Sequence, residues 1–493
     1  MKATSLIPRL PDFVFLAVFF SVLASGTQML SIDSDLGRHL ALGNYILSGN
    51  AVPTRDLFSH TLPNHPRPPY EWLFQTLFAC ADRLLGLDGV ILMTAVLIAT
   101  TFMLVFQFAS RRSRSPILAF LITLLAFGAS SLHWLPRPHI ITFLILVIWI
   151  ENLERLRRGD PFRIFVFPLL MLCWANLHGG FIFGILAWLA YMFGWLWEKW
   201  RGEADNQIGM ALVCGGSLSL LATIITPSLW RNWEAVLNNR SAFILNRTAE
   251  TMPPNLVSLA ALPFTFLLAL TGILFLVNRK VLPASYFFLM AGLGGMSLVM
   301  ARNIPLFAVA SATILSELGG RALIKMDTWV KIEKRFAEFS RPSQWHIIPL
   351  IAVLCTAGYL GNRNFNEHRS AFNFSPQVFP VQALDWLEDN PQRGKMFNEF
   401  NWGGYILYRG WPRQLVFLDS QSDFYGEALM RDYEQIITAR NDWEDLLEKY
   451  QVDWMIIPTH SPLARKVFEN PGWETLYEDE TAVIVRRSQS PFR

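Results

Sequence analysis

Long apolar runs separated by short polar stretches organise most of the chain. A helix rises about 1.5 Å per residue and needs roughly 20 apolar residues to cross the hydrocarbon of a bilayer. Runs of this kind, several of them shorter, occupy residues 12–31, 88–110, 116–132, 138–153, 162–178, 180–197, 208–225, 257–277, 282–300, 303–318 and 346–361, with Pro or Gly at many of their ends. They predict about eleven transmembrane helices. The first run is read as a retained helix, because no small-residue cleavage site follows it. Residues 70–86 are apolar but short and carry Asp82 and Arg83. They are placed in the interface plane as an amphipathic helix, since a span there would invert the charge pattern of the later loops.

Beyond residue 361 the pattern changes. Val378, Val381, Leu384 and Leu387 form one helical stripe that Asn390-Pro391 ends. Residues 395–397, 415–419 and 452–457 read as strands, 427–438, 441–450 and 460–469 as helices, and 473–478 with 481–486 as a hairpin. Strands alternating with helices predict a small α/β domain. The expected architecture is a multi-pass α-helical membrane domain over 1–361, with a first outer loop at 32–87, followed by a soluble α/β domain over 362–493.

Composition and charge sharpen this picture. Of 493 residues 52% are hydrophobic and only 16% charged, against about 25% charged in soluble domains. The net charge of +3 is small and scattered, which argues against nucleic acid as a partner. Cys80, Cys173, Cys214 and Cys355 all sit in apolar stretches without ligand spacing, so neither a disulfide framework nor a zinc site is indicated. Arg111, Arg112, Arg114, Arg155, Arg157, Arg158, Arg163, Lys199, Arg201, Arg279, Lys280 and a cluster from Arg321 to Arg341 fall on one side of the spans. The other side carries Arg38, Arg55, Arg67, Arg83, Arg137, Arg231, Arg240, Arg247 and Arg302, and no Lys. By the positive-inside rule the N-terminus is cytoplasmic. An odd number of spans then places the C-terminal domain outside a plasma or inner membrane.

Candidate chemistry gathers on that outer side. Asp33 and Asp35 follow the first helix, and Asp35 shares a helical face with His39. Such carboxylates suit general-base or cation work; capping of free helix amides is the plainer alternative. Glu71 is either a further acid or a helix-start charge. Arg137 and His139 lie in His133-Trp-Leu-Pro-Arg-Pro-His139, His178 in Trp174-Ala-Asn-Leu-His-Gly-Gly180, and Arg302 before Asn303. Ionisable groups at a membrane boundary are costly and therefore functional candidates, with snorkelling as the competing explanation. Arginine forks match phosphate, so a phosphate-bearing ligand is expected. Trp230 and Trp233 are either belt anchors or sugar-stacking groups.

Several stretches carry a family resemblance. They are Asp33-Ser-Asp-Leu-Gly-Arg-His-Leu-Ala-Leu-Gly43, Pro53-Thr-Arg-Asp-Leu-Phe-Ser59, Glu71-Trp-Leu73, Phe397-Asn-Glu-Phe-Asn-Trp-Gly-Gly-Tyr405 and Asp419 to Tyr425. In this order, along nearly the whole chain, they resemble the GT-C superfamily of membrane glycosyltransferases, and within it a bacterial subgroup. The superfamily includes protein O-mannosyltransferases, aminoarabinose transferases of lipid A and oligosaccharyltransferase catalytic subunits. The resemblance implies transfer of a hexosyl or pentosyl group from a polyprenyl-phosphate-linked donor to a glycan, lipid or protein acceptor. It implies catalytic roles for Asp33 and Asp35, one of them the base, with His39 and Glu71 beside them. Arg137, His139, His178 and Arg302 would bind the donor phosphate. The stretch Asn401–Tyr405 echoes the oligosaccharyltransferase acceptor motif without its first Trp and its Asp. Trp402 and Tyr405 are therefore expected at an acceptor or sugar, with peptide binding not carried over. A divalent cation, magnesium or manganese, stays open as a ligand of Asp33 and Asp35. The rival expectations are a transporter or flippase for lipid-linked saccharides, which would favour internal repeats and midplane charges, and a non-catalytic scaffold or receptor.

Overall fold

The computed structural model describes residues 9–161, 163–237, 242–245, 249–323, 326, 329, 331–333, 346–366 and 370–488. Arg240, Arg247, Lys325, Lys334, Arg335 and Arg341 lie outside them. Every one of the eleven apolar runs is helical. The first is α1 (Leu10–Ala24) and α2 (Gly26–Ile32), bent by 54° at Ser25. The first outer loop follows, with α3 (Leu36–Leu47) and α4 (Trp72–Leu85). Next come α5 (Leu87–Ser113), α6 (Pro116–Ser130), α7 (His139–Arg157), α8 (Val166–Leu177), α9 (Phe181–Trp200) and α10 (Asn206–Ala222). Two short helices, α11 (Arg231–Leu237) and α12 (Ala242–Leu245), lead to α13 (Leu262–Val277), α14 (Ala284–Val299), α15 (Ile304–Leu323) and α16 (Ile347–Asn366).

Among the described residues four helices are long and apolar enough to cross a bilayer: α5, α6 extended to His133, α9, and α15 taken from Ala301. The bent α1–α2 pair makes a fifth, while α8, α10, α13 and α14 are apolar but shorter. Local chemistry sets the boundaries. Arg114 ends α5 in the left-handed conformation, and the Ser115 hydroxyl accepts from Leu118 N as Pro116 opens α6. α5 lies centrally, against α1, α6, α7 and α15. At the end opposite the first loop, Glu154 of α7 accepts from Arg157, Arg158, Tyr191 and Tyr286, and Glu317 of α15 from Arg158, Tyr286 and Arg321. Both buried carboxylates are thereby paired, and four helices are tied together. His346, on this same side, meets Asp12 at 2.7 Å and Gln107 at 3.2 Å.

The tail contains α17 (Val381–Asp389), α18 (Gly403–Gly410), α19 (Ser422–Ile437), α20 (Trp443–Lys449) and α21 (Pro462–Phe468) around a four-stranded sheet. Its order is β1 (Lys395–Asn398), β2 (Val452–Pro458), β4 (Ala482–Arg487), β3 (Trp473–Glu478). β1 runs parallel to β2, with Met396 opposite Trp454; β4 is antiparallel to both neighbours, with Ile456 opposite Ile484. One expected strand is corrected. Residues 415–419 join no strand of the sheet; Val416 forms a parallel bridge with Ser59 of the first outer loop. Val416, Phe417, Leu418 and Asp419 are nonetheless fully buried, because loop and sheet cover them from both sides.

Candidate active site

The two first-loop aspartates divide the alternatives between them. Asp33 Oδ1 accepts from Asp35 N at 2.8 Å and Leu36 N at 3.3 Å, so Asp33 does the work of a helix cap. The Asp35 side chain caps nothing and lines a cavity. Arg137, on the Pro136–Pro138 turn between α6 and α7, reaches both: Nε lies 2.8 Å from Asp33 Oδ1 and Nη1 2.9 Å from Asp35 Oδ2. Arg38 approaches Asp35 Oδ1 at 3.4 Å, and the Ser420 hydroxyl of the tail donates to the same oxygen.

Electrostatics separate the pair further. Burial opposes ionisation of Asp35, but Arg137 and Arg38 outweigh it, with the Ser420 hydroxyl, and hold its carboxyl far below the usual range. Burial pushes Asp33 up despite Arg137, and the neighbouring Asp35 charge adds to the rise. Burial pushes Glu71 up to about 7; Arg38 opposes that shift, and Asp35 reinforces it. Burial and the neighbouring Arg38 depress His39, whose ring is neutral at physiological pH.

The cavity encloses about 1220 Å³ between the helix ends nearest the first loop and the tail. Asp35, His39, Glu71, Arg137, His139, His178 and Arg302 all line it. Asp33 stands just behind Asp35. Arg302 carries no hydrogen bond or ion pair among the described residues, so its guanidinium is available to a ligand. His133 Nδ1 lies 3.5 Å from Glu250 Oε2, which also sits 4.0 Å from Arg137. His139 Nε2 meets the carbonyl of His133 at 2.9 Å, which fixes the turn more than it serves a ligand. Ser21, Ser25 and Gln28 extend the wall along the α1–α2 bend, and Phe400, Tyr433 and Asp423 close it from the tail.

Trp402 and Tyr405, expected at an acceptor or sugar, are not in this wall. Trp402 is buried and donates to the Val378 carbonyl at 2.8 Å; Tyr405 packs on Phe374 and Phe379 and accepts from Arg409. The motif around them serves a close approach instead. A Cβ on Gly37 would stand 2.2 Å from the Gly404 carbonyl, and one on Gly404 2.3 Å from the Ser34 carbonyl. Only two glycines let α18 lie this tightly on α3, which brings Ser420 to Asp35.

Sequence reasoning missed a second buried network. Arg67 donates to Asp56 Oδ1 at 2.6 Å, to Asp419 Oδ2 at 2.9 Å and to Gln421 Oε1 at 2.8 Å, while Arg38 Nε lies 3.7 Å from Asp419. His60 and Thr61 add bonds to the carbonyls of Met396 and Phe417. First loop and tail are thus one packed unit on one side of the helices. The resemblance stretches around Asp56 and Asp419 held both carboxylates, but their shared partner is remote in sequence.

The donor set does not fit a divalent cation. Arg137 occupies the space between Asp33 and Asp35, and its charge neutralises them. Among the described residues no three His, Cys, Asp or Glu side chains converge as ligands.

No family profile matches the chain, and no curated protein matches it either. Among solved structures, the apo oligosaccharyltransferase of Archaeoglobus fulgidus superposes over 97% of this chain and 75% of its own, with TM-score 0.60 and 13% identity. The Archaeoglobus fulgidus oligosaccharyltransferase AglB in complex with an inhibitory peptide and a dolichol-phosphate gives TM-score 0.58 at 12% identity, over 96% of this chain and 74% of that one. ArnT from Cupriavidus metallidurans bound to undecaprenyl phosphate matches at TM-score 0.47 and 13% identity, over 96% and 97% of the two chains. The chain shares the fold of the Archaeoglobus fulgidus oligosaccharyltransferase, a kind of protein the resemblance had named.

Proposed function

We propose that this chain is a membrane glycosyltransferase that moves a sugar from a polyprenyl-phosphate carrier to an acceptor on the extracytoplasmic side. One observation carries the reading: a single cavity joins Arg302, whose guanidinium has no partner among the described residues, to the first-loop carboxylates Asp35 and Glu71, at the ends of apolar helices. The α1–α2 bend contributes to its wall, which gives a carrier lipid access from the bilayer while its phosphate meets water-facing cations. The fold is shared with an oligosaccharyltransferase captured with dolichol-phosphate and a peptide, which supports the same donor class here.

In this reading Arg302 takes the donor phosphate and stabilises the charge that grows on it as the sugar leaves. Arg137, committed to Asp33 and Asp35, adds its field to that end of the cavity. Asp35, held ionised, faces the positive charge developing on the anomeric carbon. A single displacement inverts that carbon. The tail supplies Ser420 to Asp35 and walls the acceptor side. The cytoplasmic N-terminus follows from the arginine and lysine distribution.

Asp35→Asn tests the reading. It removes the anion while keeping size and hydrogen bonding, so sugar transfer from undecaprenyl-phosphate-linked donors falls to background with membrane insertion intact. Full retained transfer by the variant would dismiss Asp35 from the reaction.

A further inference from the structure

Glycosyl transfer frees one proton from the acceptor, and Asp33, Asp35 and Glu71 are the first-loop carboxylates that stand at this end of the cavity. Asp33 is bound by two backbone amides and Arg137 and does not reach the cavity. Asp35 reaches it, but the cations that keep it charged also oppose its protonation, which makes it a poor proton acceptor.

Glu71 is placed differently. Its carboxylate lines the cavity and has no hydrogen bond among the described residues; the nearest groups are His178 Nε2 at 3.6 Å and His39 Nδ1 at 3.8 Å. The backbone N–H of Gly180 donates to His178 Nδ1 at 3.0 Å, and Thr142 Oγ1 lies 2.8 Å from the same atom. An amide can only donate, so Nδ1 holds a lone pair and the neutral ring carries its hydrogen on Nε2, towards Glu71. Trp174 fixes Thr142 in turn, by donating to its hydroxyl oxygen at 2.9 Å.

On the far side of Glu71 lies a second, small cavity of about 30 Å³, lined by Arg38, Glu71, Gln75, Gln421, Pro53 and Arg55. That is room for about two waters. Gln75 has a buried Oε1 without a partner among the described residues, the kind of atom an ordered water satisfies. Arg55 is exposed, so the small cavity leads outward.

We propose that Glu71 takes the acceptor's proton and returns it to the outer solution through this water-sized cavity, with His178 as the residue that positions its carboxylate. The proposal rests on the glycosyl-transfer reading. In the step, the acceptor O–H or N–H bond breaks and its proton goes to Glu71. The freed electron pair forms the bond to the anomeric carbon, and the bond from that carbon to the phosphate oxygen breaks with its pair left on the carrier phosphate. Glu71 then loses its proton to the water beside Gln75. His178 lies slightly beyond hydrogen-bond length, as catalytic contacts do before substrate binds.

The groups facing Glu71 come from every neighbouring element: Arg38, Asp35 and His39 from the α3 segment, Asp423 from α19, Arg137 from the α6–α7 turn and His178 after α8. Burial dominates and raises the carboxyl to about 7. Below that pH Glu71 is protonated and cannot accept, so turnover falls as pH drops.

Infrared pH titration of the full chain in lipid nanodiscs tests the proposal without a substrate. A protonated-carboxyl band with midpoint about 7 is expected, absent in Glu71→Gln and retained, at lower pH, in Asp35→Asn. His178→Ala removes a donor to the anion and moves the midpoint upward. A Glu71 midpoint at the ordinary value of about 4.3 overturns the proposal whatever the enzyme transfers. With undecaprenyl-phosphate-linked hexoses, turnover should fall about tenfold per pH unit in the acid limb, and at least about 100-fold in Glu71→Gln. A profile flat between about pH 5 and 8 overturns the assignment while leaving glycosyl transfer itself in place.

Discussion

Arg67→Ala isolates the contact that seats the tail on the first loop. The arginine is 9% exposed and bridges Asp56 and Asp419, whose carboxylates are fully buried. Removing one partner of a buried ion pair costs about 3–5 kcal/mol. Here neither carboxylate is left bare. Asp56 keeps Ser59 N at 2.9 Å and the Ser59 hydroxyl at 2.7 Å; Asp419 keeps Gln421 N at 2.9 Å, Tyr425 OH at 3.1 Å and Arg38 at 3.7 Å. The lower end applies, about 3 kcal/mol, or roughly 100-fold in the equilibrium between docked and undocked tail. Two amides report it directly, His60 N on the Val416 carbonyl and Val416 N on the Phe58 carbonyl. Hydrogen exchange read by mass spectrometry should accelerate about 100-fold in peptides covering 58–60 and 414–418, and stay unchanged in α5. The triple variant Arg67→Met, Asp56→Asn, Asp419→Asn, which leaves no unpaired charge, should recover most of the protection. An acceleration below about threefold in Arg67→Ala, near 0.7 kcal/mol, would refute the reasoning.

Other consequences are as direct. Arg302→Ala should weaken binding of undecaprenyl phosphate about 10- to 100-fold by scintillation proximity assay, the loss of one charged hydrogen bond, and Arg302→Lys should recover part of it. Gly404→Ala places a methyl 2.3 Å from the Ser34 carbonyl; a stability loss of about 1–3 kcal/mol in thermal unfolding is expected, with transfer falling further as Ser420 leaves Asp35. Ser420→Ala removes that hydrogen bond together with the 3.2 Å contact to the Ser34 carbonyl and should slow turnover about tenfold or more, with the protein's melting point little changed.

The helical body was legible because a lipid-facing helix must be apolar along its length and Pro, Gly and charge interrupt it; each run became a helix. The tail was legible for a related reason: alternation and caps placed β1, β2, β3 and β4 within a residue or two of their observed bounds. Residues 415–419 were misread because burial on both faces looks the same whether a strand's partner lies in the sheet or in a distant loop. Asp33 and Asp35 could be named from their place after a helix, but not told apart. The distinction depends on Arg137, about a hundred residues away, and on Ser420 from the tail. Trp402 and Tyr405 drew attention as aromatics in a motif whose constrained positions are its glycines. Glu250, Arg67 and the tautomer of His178 carry no local signature; they follow from backbone and side chains brought together only by folding.

The central claim is that the outer cavity holds a lipid-linked phosphate beside the first-loop carboxylates. A cryo-electron microscopy structure of the full chain with undecaprenyl phosphate tests it most directly. The phosphate should lie within hydrogen-bond distance of Arg302, with the lipid chain leaving past the α1–α2 bend. Phosphate density at the opposite, lysine-bearing ends of the helices, with the outer cavity unchanged at saturating lipid, would contradict the account.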